Sequence, residues 1–243
     1  MTDASKTDPQ PIRLQKFLAK AGICSRREGE NYIAAGRVRV NNEIVTTAGI
    51  KVDPEKDSIM VDNKPVWLKE RPVYIMLNKP KGYISSCRHG EEAIVLDLVD
   101  VKERVFPVGR LDKDSTGLLI MTNDGRIHHR LAHPSFDHEK EYVVEARREI
   151  ADSDLKRLAR GIVLDGKITR PAIVTHETRT RFRITLREGR KRQIRRMVEA
   201  IGNEVRGLHR VRMAGLKLED LAEGKWRYLS SGEIDELMAL LRD

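Results

Sequence analysis

The chain has few aromatics, few cysteines and no long apolar run. Phe, Trp and Tyr supply 5% of its 243 residues. Proteins that hold single strands without sequence preference stack bases on aromatic platforms, so this scarcity argues against that mode. Only Cys24 and Cys87 are present, in different segments and without metal-ligand spacing. Reduced thiols of a cytoplasmic protein are the default reading. No stretch approaches the length of a membrane span. The polar start, MTDASKTDPQP, has no signal-peptide core and reads as a frayed tail. A basic amphipathic helix with aromatic anchors is also missing, which counts against a membrane-surface role. There is no internal repeat, low-complexity tract, phosphate loop or dinucleotide fingerprint. His128, His129, His133 and His138 cluster, but no acid or Cys stands at ligand spacing beside them. No metal and no cofactor are therefore expected, and these histidines read as helix-surface or RNA-facing.

What the chain has in excess is positive charge. Lys and Arg number 46 against 37 Asp and Glu, a formal net charge of +9. That balance points to a polyanionic partner. Hydrophobic residues make up 40% and charged residues 34%, enough for a real core under a heavily charged surface. The length suits two domains.

The first module is expected over residues 11–69. Leu14, Phe17, Leu18 and Ala21 repeat at helical spacing, with Gly22 as a stop. Ser25 and Glu28 form a capping-box pattern before a second helix to about Ala35, ended by Gly36. Val38–Val40 and Glu43–Val45 read as strands joined at Asn41-Asn42, and Ile59–Val61 pairs with Val66-Trp67 across an Asn63-Lys64 turn. Between Pro11 and Lys51 lie eight Lys or Arg and three Glu. Arg13, Lys16, Lys20, Arg26, Arg27, Arg37 and Arg39 together suggest contact with a phosphate backbone.

A second domain is expected over residues 71–243, with the boundary at Arg71-Pro72. Val73–Leu77 reads as a buried strand ending in a loop, Asn78-Lys79-Pro80-Lys81-Gly82. Phe106 to Gly125, FPVGRLDKDSTGLLIMTNDG, is the centre of the chain. It sets Arg110 and Asp112 in a Gly-containing loop ahead of the apolar run Leu118–Met121. That run reads as a buried strand, with a buried helix as the alternative. An Asp in such a loop ordinarily caps a turn, but reactive side chains also favour loops held on rigid elements. Helices are expected over Arg126–Ala132 (stopped at Pro134), Asp152–Arg160, Ile194–Ile201 and, after a capping box at Ser230 and Glu233, through Leu241. Strands are expected at Tyr142–Ala146, Ile162–Leu164, Ala172–Thr175, Arg181–Arg187, Gly207–Met213 and Trp226–Leu229. The fold class is α+β: a small α/β RNA-binding module, then a domain with a mixed, largely antiparallel sheet and flanking helices.

Gly109-Arg110-Leu111-Asp112 with Ser115–Leu119 and Thr122–Gly125 resembles the catalytic motif of the RsuA-type pseudouridine synthases. Lys140-Glu141-Tyr142 is similar to that family's second motif, and Glu188–Met197 to its third. The stretches Arg104–Ser115, Asp137–Tyr142 and Arg192–Met197 are most similar to the RluF branch, which acts on large-subunit ribosomal RNA. Arg13–Leu18, Ser25–Arg27, Gly36–Val38 and Val40-Asn41 resemble the small RNA-binding module named after ribosomal protein S-four.

The resemblance implies conversion of uridine to pseudouridine. The sugar-to-nitrogen bond breaks and a sugar-to-carbon bond forms; atoms balance without a cofactor. It makes Asp112 the catalytic carboxylate, acting as nucleophile at the sugar or as base. A dry carboxylate needs a cation to stay ionised. Arg195 is the first candidate and Arg196 the second. Tyr142 would lie against the target base, its plain alternative being a core Tyr on a strand. Arg110 would hold a flipped nucleotide and Lys140 would neighbour the site or a phosphate. Nine basic residues and one acid lie between Arg179 and Arg196, so most, including Arg190, Arg192 and Arg196, are expected to face RNA or solvent. Arg206, His209, Arg210 and Arg212 read as a further phosphate-binding patch. The implied partner is ribosomal RNA, 23S rRNA or its precursor first, with small-subunit rRNA and transfer RNA as alternatives. A monomer is expected. The competing reading is a non-catalytic RNA-binding ribosome-assembly protein.

Overall fold

The computed structural model describes residues 11–68, 72–88, 90–132 and 136–241. The expected tail, the Lys69–Arg71 part of the boundary, and the stop at Pro134 lie outside these residues. The chain divides into two compact units, Met1–Pro72 and Val73–Asp243.

The first unit comprises β1 (Ile12–Arg13), α1 (Leu14–Lys20), α2 (Arg26–Ala34), β2 (Val38–Val40), β3 (Glu43–Val45), β4 (Lys51–Val52), β5 (Ile59–Val61) and β6 (Lys64–Val66). Leu14, Phe17 and Leu18 from α1 and Ile33 from α2 close over Val38, Ile59 and Val61. The capping box at the start of α2 is formed, with the Ser25 side chain accepting from Glu28 N and the Glu28 carboxylate accepting from Ser25 N. The four strands run in the order β3-β2-β5-β6, all antiparallel. The β5–β6 turn falls at Asp62-Asn63, both at positive φ, one residue before the expected Asn63-Lys64. Both residue types tolerate that conformation.

The second unit is built on one nine-stranded sheet. Its elements are β7 (Tyr74–Lys79), a 3-10 turn at Val95–Leu98, β8 (Phe106–Pro107), β9 (Thr116–Thr122), α3 (Gly125–Ala132), β10 (Lys140–Ala146), α4 (Asp152–Arg160), β11 (Val163–Leu164), β12 (Lys167–Ile168), β13 (Ile173–Thr178), β14 (Arg181–Leu186), α5 (Gln193–Ala200), β15 (Val205–Met213), β16 (Leu216–Lys217), β17 (Trp226–Tyr228) and α6 (Ser231–Ala239). The main path of the sheet is β13-β14-β10-β15-β9-β7-β17. The sheet is mixed and largely antiparallel: among the described residues of the sheet only β9 and β15 pair in parallel. They do so over two residue pairs, His209 with Thr116 and Arg210 with Gly117.

The Leu118–Met121 run is strand, and burial on both faces explains its unbroken apolar character. Leu118 and Ile120 of β9 join Tyr74 and Met76 of β7 in one core. Leu119 and Met121 join Ile75 and Leu77 in another, on the opposite face. A third core gathers Val144, Phe182 and Ile184 of the sheet against Leu158 of α4 and Met197 and Val198 of α5. Strand β7 runs two residues beyond its expected end, so Asn78 and Lys79 are sheet residues and buried.

Candidate active site

Asp112 lies in the loop that leads into β9. Hydrogen bonds from several residues hold that loop. The Lys79 ammonium, fully buried, donates to the carbonyls of Pro80 at 3.0 Å, Asp112 at 3.1 Å and Ser115 at 2.8 Å. Ser85 brackets Leu111, accepting from its N–H and donating to its carbonyl, both at 3.1 Å. Gly82 N donates to the carbonyl of Lys113 at 2.8 Å. Ser115 N donates back to the Asp112 carbonyl at 3.1 Å and closes the turn. Burial lowers the Lys79 pKa to about 8, with Asp114 and Asp112 opposing the shift. Lys79 and Ser85 were not anticipated. A Lys ahead of Pro80 and Gly82 carries the signal of a loop, and only strand pairing reveals it as interior.

Beyond the loop, Gly117 explains how β9 meets β15. Its φ is +106°, and a Cβ there would stand 2.3 Å from the Arg210 carbonyl oxygen and 2.6 Å from its nitrogen. Only glycine lets the two backbones come this close. The seam puts Arg210 under the Asp112 loop.

A cavity of about 320 Å³ opens between this loop, β10, β15 and the start of α5. Asp112, Tyr142, Lys140 and Arg210 line it, together with apolar Leu186, Leu208 and Met213. Tyr142 stands directly opposite Arg210 across the β10–β15 pair. Arg110 is exposed at the rim. The structure thus brings Asp112, Tyr142, Arg110, Lys140 and Arg210 to one cavity. A second cavity, of about 520 Å³, lies on the far side of Asp114 and is lined by Arg147, Arg195 and Arg206; it holds neither Asp112 nor Tyr142.

The expected cation pairing is corrected. Arg195 is buried, but its carboxylate partner is Asp114, at 3.2 Å, and it also donates to Asp114 O at 3.0 Å, Ser115 Oγ at 3.3 Å and Val205 O at 3.2 Å. Arg196 pairs with Asp165 at 2.6 Å. The guanidinium nearest Asp112 belongs to Arg192, 3.9 Å from Oδ2 and itself drawn to Asp114 at 3.1 Å. Arg192 caps α5 in the left-handed region, at φ 50°, an uncommon conformation for a non-glycine and one that recurs at functional sites. Asp114 is therefore the carboxylate that gathers two of the third-motif arginines, Arg192 and Arg195. Arg192 leads in lowering its pKa against the upward push of burial, and Arg195 adds to the effect. Asp112 itself is left half-open, with 38% of its side chain exposed.

Other expected RNA contacts are used internally. Arg190 donates to the carbonyls of Lys167 at 3.0 Å and Ile168 at 2.7 Å, so it clasps the β11–β12 hairpin. The patch expected from Arg206, His209, Arg210 and Arg212 is split. Tyr142 pairs with Arg210 and Glu141 with Arg212, which leaves Val211 as one extra residue in β15. This bulge turns Arg212 to the face opposite Arg210. Bulges beside functional sites commonly re-aim side chains in this way. The His209 Nδ1 meets the Thr116 hydroxyl at 2.7 Å, and Arg206 lies 3.7 Å from Glu145.

In the first unit Arg13, Lys16, Lys20, Arg26 and Arg27 are exposed on β1, α1 and α2. Arg37 instead pairs with Asp62, with Nε 2.9 Å from Oδ1, and stacks on Tyr32 at 3.9 Å. Arg39 donates to the Asn42 carbonyl at 2.9 Å. Among the described residues no group of His, Cys, Asp and Glu is placed to hold a metal ion. No helix among them is long and apolar enough to cross a membrane.

The chain matches known proteins along most of its length. The family of RNA pseudouridylate synthases matches residues 73–200, and the S4 domain matches residues 12–58. The dual-specificity RNA pseudouridine synthase RluF of Shigella flexneri is 39% identical over 96% of this chain and 80% of its own. The ribosomal small subunit pseudouridine synthase A of Escherichia coli K12 is 40% identical over 92% of this chain and 98% of its own. A crystal structure of a pseudouridylate synthase superposes with a TM-score of 0.69 and 33% identity, covering 93% of this chain and 99% of the other.

Proposed function

Because the chain belongs to the RNA pseudouridine synthase family, of the type that includes RluF and the small-subunit enzyme, and is thus an isomerase acting on RNA, we propose that it modifies one uridine of large-subunit ribosomal RNA, with Asp112 as the essential carboxylate. One observation carries the assignment to Asp112: its carboxylate is half-open at a cavity shared with Tyr142, while the neighbouring Asp114 absorbs the buried guanidinium of Arg195.

The geometry supports the following sequence. The target nucleotide leaves its stack, at a cost of about a few kcal/mol that is smaller in a loop than in a duplex. Phosphate contacts offset that cost, from the exposed Arg13, Lys16, Lys20, Arg26 and Arg27 in the first unit and from Arg110 at the cavity rim. The base enters against Tyr142. Asp112 acts at the sugar, as nucleophile or as base, while the base detaches and rejoins through carbon. Arg192 holds charge beside Asp112, and Arg195 acts one step removed, through Asp114 and Ser115. The protein works as a cytoplasmic monomer.

The preference for the large subunit rests on the three phrases that resemble the RluF branch. Overall identity does not separate the targets, since the RluF and small-subunit relatives stand at 39% and 40%. The name of the dual-specificity relative makes a second RNA worth assaying, and a transfer-RNA stem-loop is the one to assay first.

Pseudouridine mapping by chemical modification and primer extension is the test. It compares the wild-type strain, a deletion, and deletions complemented with wild type or Asp112→Asn. The expected result is one large-subunit site lost in the deletion and restored by wild type alone. Restoration by Asp112→Asn removes Asp112 from the chemistry. A lost site in small-subunit or transfer RNA replaces the target.

A further inference from the structure

The floor of the 320 Å³ cavity is electropositive and unmatched. Arg210 is 2% exposed. Its Nε donates to the Leu118 carbonyl at 2.7 Å, and its buried Nη2 has no partner among the described residues. Among the described residues no carboxylate pairs with Arg210 or with Lys140. Glu188, the other acid lining the cavity beside Asp112, is already taken by Gln193 at 2.7 Å, Arg170 N at 3.0 Å and Arg190 at 3.3 Å. Arg192, the remaining cation beside Asp112, is drawn to Asp114. The two floor cations also oppose each other: burial first, and Arg210 second, push the Lys140 ammonium below its usual pKa.

A buried guanidinium with no counter-charge is a liability to the empty fold. Such arrangements persist where a ligand supplies what is missing. The walls around it, Leu186, Leu208 and Met213, are apolar, and Tyr142 stands opposite. A flat, flipped base fits that floor. A backbone phosphate carries a permanent charge that must be stripped of water to reach it.

We infer that Arg210 and Lys140 are catalytic residues that bind the uracil oxygens and stabilise the negative charge the base acquires when it leaves the sugar. The inference rests on the reading that Asp112 performs the isomerisation in this cavity. When C1′–N1 breaks, its electron pair stays with the base and spreads over N1, O2 and O4. Asp112 meets C1′ or takes the C2′ proton. The base then turns and C5 bonds to C1′, as the Asp112–C1′ bond breaks or as Asp112 returns the proton to C2′; the C5 hydrogen departs as a proton, and N1 gains one. Charge appears on the base only during this interval. Fixed cations in a dry site act most strongly on charge of that kind. They would also keep the detached base from escaping while it turns.

The test uses the full-length protein in excess over an in vitro rRNA transcript carrying the mapped uridine, made with uridine or with 5-fluorouridine. Fluorine makes the base a better leaving group, so it needs less help. Arg210→Met and Lys140→Met are expected to slow the single-turnover reaction of uridine by about a hundredfold, the scale of losing one such donor. On 5-fluorouridine, where C5 carries fluorine and has no proton to release, the step read on both transcripts is cleavage of C1′–N1, and the loss in its rate should be several-fold smaller. Arg210→Lys should recover part of the rate. Equal loss on both transcripts would show a merely structural role and overturn the inference. So would an unchanged rate at saturation with a weakened, less salt-dependent RNA affinity, which marks a phosphate contact. Arg210 also straps β15 to β9, so if Arg210→Met fails to fold, Lys140→Met decides alone. A wild-type protein inactive on every RNA would instead overturn the function proposed for the cavity.

Discussion

Two faces of the same three strands treat charge in opposite ways. On one face of β10, β14 and β15, every ion has a partner. Glu139 accepts from Arg187 at 2.9 Å and Arg212 at 3.0 Å. Glu141 accepts from Arg183 at 3.0 Å and Arg212 at 2.8 Å. On the other face, one residue along, Lys140 and Arg210 have no carboxylate partner among the described residues, and Asp112 is 3.9 Å from the nearest guanidinium among them. Strand alternation separates Lys140 and Tyr142 from Glu139 and Glu141, and the bulge at Val211 separates Arg210 from Arg212. A matched lattice contributes to the fold and asks nothing of a ligand. An unmatched one is held in place by the fold and waits for charge from outside. The distinction is invisible in net charge, which counts both faces alike.

The comparison fails most completely if the seam that carries Arg210 is forced apart. Gly117→Ala adds a Cβ 2.3 Å from the Arg210 carbonyl oxygen, at a φ of +106° that alanine rarely adopts. Backbone against backbone has no flexible end to yield. The expected cost is about 4 kcal/mol or more, in the class of the most damaging single substitutions. Thermal melting with circular dichroism checks it. A Gly117→Ala protein that melts within a few degrees of wild type would mean that β9 and β15 do not meet as described.

Next in size is Lys79, the cation that belongs to the site's scaffold. Lys79→Met removes three hydrogen bonds to carbonyls, two in the Asp112 loop and one at Pro80, at an expected cost of about 2–3 kcal/mol near neutral pH. Its pH dependence has a definite sign. Burial lowers the folded-state pKa from the ordinary 10.5 to about 8. The folded protein therefore binds fewer protons than the unfolded chain between those values. The penalty for holding a charged lysine is complete below about pH 8 and lifts as pH rises toward 10.5. Wild type should gain stability relative to Lys79→Met over that interval, measured by urea unfolding at about pH 7.5 and about pH 9.5. A difference that shrinks with rising pH would refute the sign.

The contrast between faces also marks where sequence reading succeeds. Short-range signals sufficed for the scaffold. The stops at Gly22, Gly161 and Gly202, the capping boxes at Ser25 and Ser230, and the Leu118–Met121 strand depend on residues within a few positions of one another. Asp112, Tyr142, Arg110 and Lys140 were identified through motif resemblance, and they meet at one cavity. What stayed hidden depends on distant pairs. Arg195 finds Asp114 and Ser115 some eighty residues away. Arg190 reaches carbonyls of a hairpin that its own segment does not announce. Lys79 reads as a loop residue until β9 pairs with it. A period of two puts Arg210 and Arg212 on one face, and one extra residue in β15 overrides it.

The smallest expected effect tests the matched face directly. Glu141→Gln keeps an acceptor but removes the charge shared by Arg183 and Arg212. Glu141 is about 20% exposed, so solvent screens the pair and the expected loss is about 1 kcal/mol or less. Arg212, and after it Arg183, hold the Glu141 carboxyl below its usual pKa against the pull of burial. Its contribution is therefore complete above the ordinary carboxylate range and is lost as pH falls through the lowered value. Wild type and Glu141→Gln should differ in stability at neutral pH and converge in acid. The single-turnover rate should stay within about twofold of wild type, because Glu141 contacts nothing in the cavity. If that rate falls as it does for Lys140→Met, charge on one face reaches the chemistry on the other, and the two faces of these strands act as a single electrostatic unit.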